Sequence, residues 1–149
     1  MDNVVVIERA TIADIDDLVA LGCAFTAEHD GDPPDATRVR NGMAPLVHDD
    51  RYGTIFVARR NIQLIGYAVV CWSWSVEIGG FEVVLDEVFT TDRNEGIGSQ
   101  LIAAVEDDCR QRGVLRIFLE TERRNDQVRR LYSRHGYAED DSIWMSKLL

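Results

Sequence analysis

A chain of 149 residues with 46% hydrophobic side chains can bury one core of ordinary domain size and leaves no length for a second domain, so residues 1–149 are expected to be a single unit. Its 16 basic and 26 acidic residues give a formal net charge of −10, which argues against a nucleic-acid surface and agrees with a cationic partner or simply with solubility. The N-terminus has no basic region followed by an apolar run and no stretch approaches a membrane span, so no membrane is expected and the protein is placed in the cytoplasm.

In chain order, Val4 to Glu8 reads as a short strand. Thr11 and Asp14 have the spacing of a capping box, and Ile15, Leu18, Val19, Gly22 and Cys23 recur at helical spacing, which predicts a first helix from near Ile12 to about Glu28. His29 to Pro34 is turn chemistry. A second helical pattern starts at Ala36, with Val39, Met43, Leu46 and Val47 on one face; Gly42 and Pro45 predict that it is short or kinked. The period then becomes that of strands. Thr54 to Arg59, Leu64 to Ser75 and Phe81 to Thr90 are separated by Arg60-Asn61 and Gly79-Gly80, and together predict an antiparallel meander. Gly66 inside the second of these marks a bulge or a close backbone approach. Trp72 and Trp74 share one face, either as sheet packing or as a pocket wall.

The stretch after the third meander strand carries the chemistry. An apolar strand, a short polar turn, then Gly96 and Gly98 opening an amphipathic helix with Leu101, Ile102, Val105 and Cys109 on its apolar face is the arrangement of an anion site. The first N–H groups of a helix lack intrahelical partners, the helix dipole adds positive charge there, and glycines admit close approach. A dinucleotide fingerprint needs a glycine where Leu101 stands, and a P-loop needs Lys-Ser/Thr where Ser99-Gln100 stand, so both fail. Gly113 ends the helix, and the nearly continuous apolar run Val114 to Glu120 predicts a strand parallel to Phe81–Thr90. Asn125 is placed to cap a short helix with Val128, Leu131 and Tyr132 on its apolar face and Gly136 at its end. The chain then returns to the sheet from Tyr137, with Ile143 to Leu148 as the last strand. Cys23, Cys71 and Cys109 lack metal-ligand spacing and read as core residues of a reducing compartment. His29, His48 and His135 stand apart from one another, so no metal site is expected.

Arg93-x-x-Gly96-x-Gly98 between a strand and a helix resembles the acetyl-CoA pyrophosphate motif of the GNAT superfamily of N-acetyltransferases. A second segment, Asn125 with Tyr132 and Gly136-Tyr137 after it, is similar to that family's Asn...Leu-Tyr...Gly-Phe/Tyr segment. Leu85-Asp86-Glu87-Val88-Phe89 also looks like a run in the spermidine/spermine type, a short likeness that identifies a subfamily poorly. The resemblance spans nearly the whole chain and implies an α/β (α+β) single-domain fold: a mixed sheet of about seven strands, with an antiparallel meander and one parallel pair splayed around the cofactor, flanked by about four helices. One departure stands out. Only Thr90-Thr91-Asp92 separate Phe89 from Arg93, fewer residues than in most relatives, and the usual proline is missing.

What the resemblance implies is transfer of acetyl from acetyl-CoA to a primary amine of a small cationic substrate, by direct attack in a ternary complex. Such an amine has a pKa of about 10, as Lys does, so a base must deprotonate it. Asp86 and Glu87 are the two candidates. By the period of two they face opposite ways, with Glu87 beside Leu85 and Phe89. Main-chain N–H groups from Val88, Phe89 and Thr90 would meet the thioester, and Tyr132 would protonate the departing thiolate. The resemblance assigns the phosphates to Arg93 and to the main chain of Asn94, Glu95, Gly96, Ile97, Gly98 and Ser99, with Glu95 turned away, and the pantetheine arm to Asn125; Arg129 and Arg130 are candidates for the 3′-phosphate. The amine pocket would lie between the first two helices and the Trp72 strand, near Asp30, Asp32, Asp35 and Glu77. A homodimer is implied by analogy alone. Two alternatives stay open: a protein lysine or N-terminal acetyltransferase, and a non-catalytic acetyl-CoA-binding sensor module.

Overall fold

The computed structural model describes residues 4–29 and 33–149. Strand β1 is Val5–Arg9; a 3-10 turn at Ile12–Asp14 leads into helix α1, Ile15–His29, and α2 is Ala36–His48. Strands β2, β3 and β4 are Gly53–Arg60, Gln63–Ser75 and Gly80–Thr90; then come α3, Ile97–Gln111, β5, Arg116–Phe118, and α4, Asp126–Arg134. The strands lie in the order β1-β2-β3-β4-β5, every neighbouring pair antiparallel except β4 with β5.

The local signals act largely as read. The Asp14 carboxylate accepts from the Thr11 main-chain N–H at 2.8 Å and from its hydroxyl at 3.1 Å, and also holds Arg59 on β2 at 2.7 Å, so the turn before α1 is tied to the sheet. Asp35 caps α2 by accepting from the N–H of Arg38 at 3.1 Å. Helix α2 is not short, although Gly42 and Pro45 predicted that it would be short or kinked. The helix runs through Gly42 and Pro45 to His48, because Met43 and Leu46 are buried and each such side chain contributes about 1.5–3 kcal/mol, enough to outweigh a poor propensity.

The sheet is covered on both faces. On one, Ala68, Val70, Val83 and Leu85 pack with Ile97, Leu101, Ile102, Val105 and Cys109 of α3; on the other, Ile55, Val57, Tyr67, Val69 and Phe89 pack with Leu18 and Leu21 of α1 and Met43 and Leu46 of α2. Leu85 and Phe89 are four residues apart and, by simple alternation, would share a face. They do not. Val69 pairs with Glu87 and Val70 with Leu85, leaving Asp86 as an extra residue in β4. This bulge shifts the alternation by one. The expectation that Glu87 shares a face with both Leu85 and Phe89 is thereby corrected: it keeps Phe89 and loses Leu85. Gly66 is a point of close approach as expected, since a Cβ there would sit 2.7 Å from the Phe89 carbonyl oxygen.

Five strands form where about seven were expected. The run Val114 to Glu120 pairs only over Arg116–Phe118, and Tyr137 to Leu149 contain no strand. Alternation makes a strand only against a partner edge, and β5 offers three residues. Ile143, Met145 and Leu148 are accordingly exposed. No helix among the described residues is long and apolar enough to cross a membrane.

Candidate active site

The register of the parallel pair creates the site. Glu82, Val83 and Val84 pair with Arg116, Ile117 and Phe118, and there the pairing stops, while β4 continues to Thr90. From Leu85 onward the edge of β4 that faces β5 has no strand against it, so its main-chain N–H and C=O groups are open to a ligand carrying amides of its own. A groove of about 1100 Å³ occupies this gap, between Val84–Thr90 on one side and Phe118–Glu122 on the other, with the first turn of α3 and the inner face of α4 as further walls. The short loop after β4 is held by Ile65 of β3, whose carbonyl accepts from the Thr91 N–H at 2.9 Å and the Thr90 hydroxyl at 3.0 Å.

Gly96 caps α3 with φ at 75°, in the left-handed region, where a side chain costs about 1–2 kcal/mol. The N–H of Gln100 is the one bonded to the Gly96 carbonyl, at 3.1 Å, so the amides of Ile97, Gly98 and Ser99 precede the helix's own ladder. Arg93, Asn94, Gly96, Ile97, Gly98 and Ser99 line the groove. Glu95 does not; its carboxylate pairs with Arg60, which also holds Asp92. Arg93 is engaged across the groove by Glu28 of α1. Asn94, also at positive φ, accepts from the side-chain amide of Gln127 at 3.2 Å. Asn125 lines the groove and caps α4 by accepting from the Val128 N–H at 3.3 Å. Arg129 is occupied by Glu139 and Asp126, and neither it nor Arg130 lines the groove, where Arg124 and Arg134 stand instead.

Tyr132 projects from α4 into the groove, its ring edge-on to Tyr137 at 5.6 Å. Burial pushes its phenol up to about 12, so it holds its proton at neutral pH. Val88, Phe89 and Thr90 are groove residues as well. Asp86 and Glu87, expected to face opposite ways, both line the groove and a second cavity of about 490 Å³. The bulge brings both to the junction. The Tyr67 hydroxyl donates to Glu87 at 3.0 Å. Burial, and then the charge of Glu87, raises the Tyr67 phenol far above its ordinary range.

The second cavity lies between α1, α2 and the β3–β4 face, walled by Gly22, Phe25, Met43, Leu46, Val69 and Cys71 among others. Burial, with Asp86 and Glu87 nearby, pushes the Cys71 thiol up to about 11, leaving it neutral. Trp72 and Trp74 are not in the lining. Trp72 donates to the Asp50 carbonyl at 2.7 Å and lies under Arg112, on the face of β3 opposite Val69 and Cys71. Asp35 serves as the cap of α2 and Glu77 sits in the β3–β4 turn, neither lining the cavity; Asp30 and Asp32 lie outside the described residues. Phe25, Glu28 and His29 of α1 are groove residues that the sequence pattern did not mark; their helical spacing was the only available signal. No group of three or more His, Cys, Asp or Glu side chains among the described residues could hold a metal ion.

A family model described as the acetyltransferase (GNAT) family matches residues 16–137. An uncharacterized N-acetyltransferase, YhfO of Bacillus subtilis (strain 168), is 29% identical over 94 residues, 62% of this chain and 63% of the relative, so just under two thirds of that relative is matched. Among solved structures, integron cassette protein HFX_CASS3 from the mobile metagenome of Cole Harbour Salt Marsh superposes with a TM-score of 0.85 at 25% identity, over 96% of this chain and 90% of that one. Aminoglycoside N-acetyltransferase AAC(6')-Iy, solved in complex with CoA, superposes with a TM-score of 0.83 at 16% identity, over 99% and 97% of the two chains, a likeness of fold alone.

Proposed function

We propose, from the premise that this chain belongs to the acetyltransferase (GNAT) family, that it moves acetyl from acetyl-CoA to a primary amine of a small cationic molecule, by direct attack within a ternary complex. The observation that carries the reading is the half of β4 that β5 does not cover, which runs from two carboxylates to the first amides of a glycine-opened helix along one groove. The residues present fit acetyl-CoA. Gly96 and Gly98 bring no side chain to the first turn of α3, Arg93 supplies a cation once it leaves Glu28, and the open edge of β4 matches a pantetheine arm that carries two amides. When bound, acetyl-CoA supplies an activated acyl group on sulfur.

Among the described residues, Asp86 and Glu87 are the only carboxylates lining the second cavity, which supports its assignment to the amine. One of them takes the amine's proton, directly or through a water, because an ammonium at neutral pH has no lone pair to attack with. Glu87 is steadied by Tyr67, whereas Asp86 stands exposed at the bulge. Main-chain N–H groups of Val88 to Thr90 face the charge that develops on the carbonyl oxygen. Tyr132, protonated through its burial, hands a proton to the leaving sulfur. The test is thiol release from acetyl-CoA across a panel of polyamines, aminoglycosides, amino acids and lysine peptides. Release with a small amine and not with peptides is expected. CoA binding without release for any amine would overturn the catalytic reading.

A further inference from the structure

Behind Ser99 stand two side chains for which acetyl transfer has given no role. Ser99 Oγ lies 2.6 Å from His135 Nε2, and the other ring nitrogen, Nδ1, is 3.6 Å from Glu106 Oε1. Ser99 and Glu106 are two turns apart on one face of α3, and His135 is the C-terminal cap of α4. The side chains of His135 and Glu106 are only 14% and 16% exposed. Ser99 lines the groove and they do not. A histidine is thus clasped between a carboxylate and a hydroxyl, and only the hydroxyl reaches the ligand side.

We infer that Glu106, His135 and Ser99 form a relay, an ion-pair contact followed by a hydrogen bond, that turns the Ser99 hydroxyl hydrogen toward a diphosphate oxygen at the first turn of α3, with His135 and Glu106 as positioning residues. The inference rests on the acetyl-CoA reading, which puts the diphosphate there. A neutral imidazole with its Nδ1 hydrogen toward Glu106 accepts from Ser99 at Nε2, and the hydroxyl hydrogen is then turned away from the groove. A ring with hydrogens on both nitrogens points Nδ1–H at Glu106 and Nε2–H at Ser99. Its Nε2–H donates to Oγ, and the hydroxyl is free to donate outward. Carboxylate, imidazolium, hydroxyl and phosphate then follow one another with a donor facing an acceptor at each step, and with signs of charge that alternate. Glu106 also faces Arg110, 3.4 Å away, and its charge acts on the Tyr137 hydroxyl; Arg134 precedes His135 in the chain. The main-chain amides would bind any anion; the relay adds a side-chain donor that only a ligand with charge at this turn can use.

The experiment measures dissociation constants by calorimetry for CoA and for pantetheine, which lacks the diphosphate, so the acceptor amine need not be known. A hydrogen bond to a charged group is worth roughly a tenfold change in affinity or somewhat more. Ser99→Ala and His135→Ala should each weaken CoA about tenfold, and the double variant should be no worse than Ser99→Ala alone. The preference for CoA over pantetheine should shrink by the same factor. His135→Gln, whose amide N–H can take the place of Nε2–H, should recover most of the loss, with thermal unfolding midpoints close to wild type. Unchanged CoA affinity in Ser99→Ala, additive losses, or equal losses for CoA and pantetheine would each overturn the relay. Failure of the wild type to bind CoA would instead remove the acetyl-transfer reading beneath it.

Discussion

The two halves of β4 have nearly the same composition and opposite surroundings. From Phe81 to Val84 the strand is bonded on both edges, to β3 and to the β5 segment, with the Phe81 carbonyl accepting from Leu115 at 2.8 Å and Arg116 donating to Glu82 at 2.8 Å. From Leu85 to Thr90 the strand pairs with β3 alone. The first half is structure and the second is the candidate site. The difference begins with the hydrogen bonds that the neighbouring strand withholds, and Asp86 and Glu87 add their carboxylates to it. Substitutions around the open half should therefore alter rate and spare stability, and those in the closed half should do the reverse.

The largest effect tests the groove's opposite wall. Tyr132→Phe should lower kcat by about 10² to 10⁴, the range for loss of a positioned acid, with little change in the KM for acetyl-CoA. Unaltered kcat in single-turnover kinetics would take Tyr132 out of the chemistry. Next comes the carboxylate junction. Of Asp86→Asn and Glu87→Gln, the one that removes the base should cost about 10² in kcat and the other less than about tenfold. Equal small losses in both would assign proton removal to solvent.

In the closed half, Val83 is fully buried, and Val83→Ala should cost about 2 kcal/mol in urea unfolding while leaving the KM for acetyl-CoA unchanged. Val88→Ala, on the partly exposed open half, should cost less than half as much. A reversal of that order would break the comparison. The smallest effect lies outside both halves and serves as a control. Burial alone would raise the Asp14 pKa, but hydrogen bonds from Arg59 and Thr11 outweigh it and hold the carboxyl below its usual range. A depressed folded pKa adds stability above the unfolded value and loses it as pH falls through the folded one. Asp14→Asn should therefore cost about 1 kcal/mol at neutral pH, and the gap to wild type should close below about pH 4. A gap independent of pH would mean that the ion pair with Arg59 contributes nothing.

Much of this was legible before any coordinates. The meander, the glycine-opened helix and the capped α4 carry local signals, namely alternation, Gly96 and Asn125, and each acts within a few residues. What escaped the sequence depends on distant partners. The Asp86 bulge is a property of the pairing between β3 and β4, so strict alternation assigned the two carboxylates to opposite faces. The last two strands failed because a three-residue β5 gives them no edge, which Val114–Glu120 does not disclose. Arg129 looked available for a phosphate until Glu139 and Asp126 claimed it. The contact between Ser99 and His135 spans 36 positions and has no trace in either segment.

The extra residue in β4 has one more consequence. Removing Asp86 would restore unbroken alternation and rotate everything before it by half a turn of the pleat, so that Leu85 and Val83 would trade the α3 core for the opposite side. Strand length, rather than any single side chain, is then what keeps a carboxylate and an aliphatic core on their proper sides.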